Sequence, residues 1–185
     1  MTAMGHRTKR KTTEKADKKM NNKRCSNCGE VARRVRENYL FKESGLSNVV
    51  LENIEVIKCD HCGNADPVIN KLNELMRVLA LAVIEKPWGL TGGEVRYLRK
   101  FIGMNGESFA SVLHTDKSLL SKWENNHEKI GSKSDLLIRC VAFSLGPGLE
   151  EERLRRVVRK FPEINETPKV VPVRVDLEEL TYTYA

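Results

Sequence analysis

The sequence predicts an α+β chain of two domains, a small antiparallel β domain built on two cysteine turns followed by an all-α bundle. Three observations predict it. Two Cys-x-x-Cys-Gly stretches, Cys25–Gly29 and Cys59–Gly63, bracket twenty-nine residues that mix β-branched and charged side chains. After residue 67 the apolar residues recur at three and four instead of at two, the period of helices. At 185 residues and 40% hydrophobic content the chain has room for one ordinary domain or two small ones, each with a packed core.

Two residues between cysteines let both sulfurs reach one metal from a tight turn, and glycine after the second tolerates positive φ. Two such turns supply Cys25, Cys28, Cys59 and Cys62, the closed four-sulfur set of one structural zinc ion per chain. A redox pair is the rival, but one dithiol needs no second matching turn. His61 sits between two ligands and is expected to be exposed. Between the turns, Val31–Lys42 and Asn48–Cys59 read as two strands separated by Glu43-Ser44-Gly45. In the second strand Val50, Glu52, Ile54 and Val56 share one face, with Val49, Leu51, Asn53, Glu55 and Ile57 on the other. This sheet has too few apolar residues to hold together without metal.

The net charge of +7 is uneven. Residues 1–24 carry nine Lys or Arg against Glu14 and Asp17, and the remainder is neutral. This arm is expected to be disordered, either a solubilising tail or a segment that lies along phosphates. No apolar run reaches the length of a membrane span, and no apolar segment marks a signal peptide, so a cytoplasmic protein with reduced thiols is expected.

A connecting helix is expected over 67–86, opening at Pro67 with Val68, Ile69, Leu72, Leu75, Met76, Leu79 and Val83 on its stripe. Domain 87–161 follows. Thr91 and Glu94 form a capping box, with Leu90 and Val95 as the staple. That helix runs to about Ile102 and stops at Gly103. Asn105 caps a second helix, and after a His114-Thr115 turn Asp116 caps a third over Lys117–Asn125. A helix over Ser134–Leu145 carries Cys140 as a core thiol, and another over Leu149–Phe161 closes the bundle. Two short helices joined by a tight turn make a helix-turn-helix. In the tail, 162–185, Val171, Val173, Val175 and Leu177 alternate, which reads as one strand accepted by a partner's sheet edge or as a frayed tail.

The stretch from Ile102 to Asn126 resembles the Xre/Cro-type helix-turn-helix at Gly103, Glu107, Phe109, Ala110, Leu113, Leu120, Ser121, Trp123, Glu124 and Asn125. The cysteine half, 25–66, resembles the YgiT-type zinc finger, and that order of modules is similar to the MqsA antitoxin family over about residues 25–160. The resemblance implies that Lys117–Asn125 enters the DNA major groove. Lys117, Ser118, Ser121 and Lys122 would then face base edges or adjacent phosphates, Asn125 would hold a phosphate, and Glu124 would fix the turn. The departures are Gly106 for the usual Gln, His114 for the turn glycine and Asn126 for the next glycine.

As implied by that resemblance, the chain is expected to be a sequence-specific repressor and antitoxin. It would be a homodimer through its helical domain on an inverted-repeat operator in double-stranded DNA, associated with the nucleoid. Its zinc half would neutralise a ribonuclease toxin. A stand-alone regulator, or a bridging factor like the archaeal multiprotein bridging factor, stays open. RNA binding by the zinc sheet has only Tyr39 and Phe41 for base stacking. The sequence carries no Ser-His-Asp set, paired carboxylates, P-loop or open metal site, so no enzyme is expected.

Overall fold

The computed structural model describes residues 22–185, and the basic arm expected at the N-terminus lies outside them except for Asn22–Arg24. Among the described residues the fold is α+β, with a mixed sheet and six α-helices. Two compact units divide the described chain. The first holds the residues up to Tyr39 with Asn53–Ile69, and the second holds Leu40–Glu52 with Asn70–Ala185.

In the first unit β1 (Asn22–Arg24) pairs antiparallel with the start of β2 (Val31–Leu40). β2 neighbours β3 (Val49–Cys59), and β4 (Ala65–Pro67) pairs antiparallel with Val56–Lys58. Asn22–Arg24, assigned from composition to the arm, are thus strand residues. The expected helix start at Pro67 is also corrected. The knuckle that ends at Gly63 turns the chain back along β3, and Val68 N donates to Glu55 O at 2.8 Å, so Pro67 and Val68 are extended. Proline suits the end of such a strand because it has no N–H to leave unpaired.

One non-glycine residue reorganises β3. Asn53 has φ +47°, and its N–H donates to the Asn38 side-chain oxygen at 3.0 Å. A left-handed residue inside a strand shifts the pleat by one position. The buried side chains are therefore Val49 and Leu51 before it and Ile54 and Val56 after it. Strict alternation had placed these pairs on opposite faces.

The second unit contains the helices and the rest of the strands. α1 (Leu72–Glu85) is buried along most of its circumference through Leu75, Val78, Leu79, Ala82, Val83 and Ile84. After β5 (Trp88–Gly89) come α2 (Gly92–Phe101), α3 (Gly106–Val112), α4 (Lys117–Glu124), α5 (Ser132–Leu145) and α6 (Glu151–Lys160). α2 packs on α1, α4 and α5. Cys140 on α5 is half-buried, and burial pushes its thiol up from the ordinary value. No helix among the described residues is long and apolar enough to cross a membrane.

The tail is built into this unit. β6 (Asn165–Pro168) pairs parallel with β5, and β7 (Val173–Asp176) pairs parallel with Val49–Leu51 of β3. β8 (Thr181–Tyr184) folds back antiparallel on β7. A strand at this place was expected, but the edge that accepts it belongs to the same chain. Buried Val171, Val173 and Val175, the Asn48 amide on Val171 O and the Tyr182 and Tyr184 hydroxyls on Glu85 Oε2 and Ala82 O, both at 2.6 Å, hold it.

A buried ionic network ties α5 to the segment that precedes α2. Arg139 is 0% exposed. Its guanidinium donates to Asp135 Oδ1 at 2.5 Å, Ile84 O at 2.6 Å, Lys86 O at 2.9 Å and Trp88 O at 2.7 Å. Asp135 Oδ2 accepts from Leu90 N at 2.7 Å. Beside it Lys86 Nζ donates to Glu94 Oε2 at 2.6 Å, the same oxygen that caps Thr91 N. Burial draws the Lys86 ammonium down from its ordinary value, with Glu94 opposing. A buried charge is tolerated only when its hydrogen-bonding groups are met, and removing one partner leaves the others stranded. Replacing Arg139 by Met should therefore cost about 3–5 kcal/mol of stability in urea titrations. The double replacement Arg139→Met/Asp135→Asn should recover part of that loss.

Candidate metal centre and candidate nucleic-acid face

The two cysteine turns are copies in hydrogen bonding as well as in sequence. Cys25 N donates to Glu30 O at 2.8 Å and Gly29 N to Cys25 O at 3.0 Å, matched by Cys59 N to Asn64 O at 2.9 Å and Gly63 N to Cys59 O at 3.0 Å. Gly29 and Gly63 have φ +76° and +74°, a conformation costly for any residue with a Cβ. Ser26 Oγ donates to Asp66 Oδ2 at 2.6 Å and accepts from Asn64 Nδ2 at 3.1 Å, which ties one turn to the other. β1 and β2 carry the first turn, and β3 and β4 carry the second.

This brings four sulfurs together, all within 4.8 Å of one another. Cys25 and Cys62 sulfurs are 3.6 Å apart, and those of Cys28 and Cys59 are 3.5 Å apart. Four thiolates about 2.3 Å from a tetrahedral ion sit roughly 3.8 Å from each other, so the four residues fit a metal ion. Cys25 and Cys59 are buried with Ala32 and Ile57, whereas Cys28 and Cys62 face solvent. His61 is exposed and outside the cluster.

The cluster is electrostatically graded. The Asn64 backbone N–H, with help from the Asn27 amide, outweighs desolvation and holds the Cys62 thiol down at about 6. At Cys28 the Glu30 backbone N–H acts in the same sense. Desolvation and the three neighbouring sulfurs together outweigh it and push that thiol up to about 12. A bound cation would hold all four sulfurs as thiolates, since metal binding displaces their protons. With sulfur at all four corners the set is closed to water, as in structural sites.

In the second unit α3, a four-residue turn and α4 form the helix pair. Asn105 Oδ1 accepts from Ser108 N at 2.9 Å and Asp116 Oδ1 from Leu119 N at 2.8 Å, so both expected caps are present. His114 takes φ +49° and Asn126 φ +56°, which answers how the chain turns without glycine at either place. Phe109 and Ala110 of α3 and Leu120 and Trp123 of α4 are buried. Lys117, Ser118, Ser121 and Lys122 of α4, and Asn125 that ends it, are all exposed, whereas Leu120 and Trp123 of α4 are buried.

Not every one of those groups is free. Ser118 Oγ donates to the capping Asp116 at 2.5 Å, and Lys122 Nζ lies 3.7 Å from Glu128. Asn125 Nδ2 donates to Ser121 O at 2.7 Å, and its oxygen accepts from Arg96 at 2.8 Å. Glu124 is held by Arg99 through bonds of 2.6 and 3.0 Å, and by Arg96 at 3.5 Å. Arg96 and Arg99 were not singled out from the sequence. Their spacing of three on α2, with Glu124 expected to fix the turn, was the available signal.

Close approach completes the clamp. A Cβ on Gly92 would lie 2.2 Å from Trp123 O and 2.7 Å from Glu124 O, and Gly92 N donates to Asn126 Oδ1 at 2.8 Å. Comparison with protein-family models, with curated proteins and with solved structures found no match. Function therefore rests on the residues themselves.

Two outcomes follow from this geometry. Cys59→Ser should lower bound metal below one equivalent by elemental analysis and reduce strand signal, with helical ellipticity retained. Gly92→Ala should destabilise by about 1–3 kcal/mol, since backbone and not a flexible side chain must give way. A melting temperature equal to that of the parent chain would show that α2 and α4 separate freely.

Proposed function

We propose that this protein is a sequence-specific DNA-binding repressor whose four cysteines hold one structural zinc ion, and that it serves as the antitoxin of a toxin–antitoxin pair. The observation that carries the DNA reading is the α4 face. Five small, basic or amide side chains stand exposed together, while the helix is fixed from behind by Leu120, Trp123 and the Arg99–Glu124 clamp. A reading helix needs that combination, since base contacts are made by side chains whose backbone position is already set. Lysine can donate to guanine O6 and N7, and short serines permit close approach to a base edge. Glu124, neutralised by Arg99 and Arg96, places no bare negative charge beside a phosphate.

The zinc reading rests on the closed thiolate set. The antitoxin reading rests on the pairing of that set with a helix-turn-helix, as in the MqsA family. In this reading the chain acts as a homodimer through its helical half, on an inverted repeat with half-sites about 34 Å apart. It works beside the nucleoid, and the zinc half holds a ribonuclease toxin encoded next to it. No chemistry of its own is assigned to it.

Lys122→Ala or Ser118→Ala should cost about 1–3 kcal/mol on DNA from upstream of the protein's own reading frame, and little on a scrambled duplex. Anisotropy titrations measure both. Equal losses on the two duplexes would reduce Lys122 to a phosphate contact. Unchanged affinity throughout would favour a bridging role in which the helices meet proteins. For the antitoxin assignment, the neighbouring gene should be toxic when expressed alone and rescued by this chain.

A further inference from the structure

α6 reads Glu-Glu-Arg-Leu-Arg-Arg-Val-Val-Arg-Lys over Glu151–Lys160, and its apolar and charged residues separate around the helix. Val157 is buried and Leu154 half-buried on one side. On the other side Arg156, Arg159 and Lys160 are exposed at spacings of three and four, so their side chains are neighbours about 5–6 Å apart. None of the three has an ion-pair partner among the described residues, whereas Arg153 lies near Glu85 and Arg155 near Glu151 and Glu152.

The helix macrodipole explains part of this. It favours acids in the first turn and bases in the last. It gives no reason for Arg156, a full turn before the end, to stand unpaired beside two more cations. Nor does it explain a second feature. Arg156 and Lys160 line a recess of about 290 Å³ together with Ile84, Pro87, Val157 and Ile164. Of the acids there, Glu85 already accepts from the Tyr182 hydroxyl and lies 3.8 Å from Arg153, which leaves Glu163 against two cations.

We propose that Arg156, Arg159 and Lys160 on α6 form a sequence-independent contact for the phosphate backbone of duplex DNA, separate from the base-reading face of α4. The proposal rests on the DNA-binding reading above. A row of neighbouring cations suits a row of phosphates, and each phosphate neutralised releases counterions and steepens the salt dependence of binding. A lipid surface is a poorer match, because the apolar side of α6 is packed inward and leaves only Val158 exposed for insertion.

The test titrates the full-length chain against a short duplex of random sequence at several salt concentrations. Three proteins are compared: the parent, Arg156→Gln/Arg159→Gln/Lys160→Gln, and the charge-keeping Arg156→Lys/Arg159→Lys. The Gln variant should bind the random duplex at least tenfold more weakly at low salt. Its log–log salt slope should be shallower by about 2–3, at about 0.9 for each phosphate no longer neutralised. The charge-keeping variant should retain the parent slope. An unchanged slope in the Gln variant, with only a lower melting temperature, would assign the cations to helix stability and overturn the proposal. Loss of slope in the charge-keeping variant would overturn it as well, since charge would then not be the determinant. A parent chain with no affinity for any duplex would defeat this proposal and the DNA-binding reading together. A parent that discriminates its upstream DNA through Lys122 while the Gln variant matches it on random DNA would defeat this proposal alone. Anionic vesicles that bind the parent and not the Gln variant, with duplex affinity equal in both, would transfer the face to membranes.

Discussion

The helical unit depends on one guanidinium. Arg139 has no contact with water, and its donors are met by a carboxylate one turn earlier and by the carbonyls of Ile84, Lys86 and Trp88. Those carbonyls belong to the end of α1 and the short extended link after it, where a helix leaves acceptors without intrahelical partners. Arg139 thus does for the C-terminal end of α1 what no side chain of that end does for itself. Asp135, oriented by the same pair, receives the Leu90 N–H and sets where α2 begins. The Thr91–Glu94 capping box then follows on a fixed start, and Lys86 reinforces it through Glu94. The start of α2 is therefore settled by α5 and by the end of α1.

What α2 passes forward is the orientation of α4. Two arginines on α2 hold Glu124, and Gly92 allows the backbone of α2 to touch that of α4. The exposed face of α4 is thereby presented by a helix of only eight residues, too short to be stable on local hydrogen bonds alone. Rigidity at such a face comes from tertiary clamps, and here they are ionic and steric instead of purely apolar. The four-cysteine cluster reaches the same end by other means. Two identical turns, each closed by two backbone bonds, set four sulfurs at ligand spacing in a sheet with little core of its own.

Much of this was legible in the residues. Cys-x-x-Cys-Gly written twice announces four sulfurs around one point. Thr91, Asn105 and Asp116 announce helix starts because each side-chain oxygen has a defined backbone N–H to accept. Asn53 was not legible. Strand reading by alternation assumes an unbroken pleat, and a left-handed asparagine in mid-strand breaks it without any local composition signal. The start of α1 was missed for a related reason. Periodicity over Val68 and Ile69 favours a helix, but pairing with β3 decides otherwise, and that pairing is not local. Nor could alternation in the tail say which strand edge would receive it. The receiving edge is β3, where Val49 pairs with Val173 and the amide of Asn48, 123 residues before Val171, donates to the Val171 carbonyl.

The interleaving of the two units bears on how the chain is made. Leu40–Glu52 belongs to the second unit yet emerges from the ribosome between the two cysteine turns. All four thiols are available once Cys62 has been synthesised, so metal capture can precede synthesis of all six α-helices among the described residues. The first half of β3 cannot be completed then, because β7 is among the last segments to appear. Until it does, Leu46, Val49 and Leu51, all buried in the finished fold, have no final place. Such non-local strand pairing is slow and leaves an unpaired edge open to wrong partners. An early-formed metal site at the other end of β3 would anchor that strand during the wait. Chains starved of metal during synthesis would then fail by aggregation of nascent protein as well as by loss of the cysteine unit.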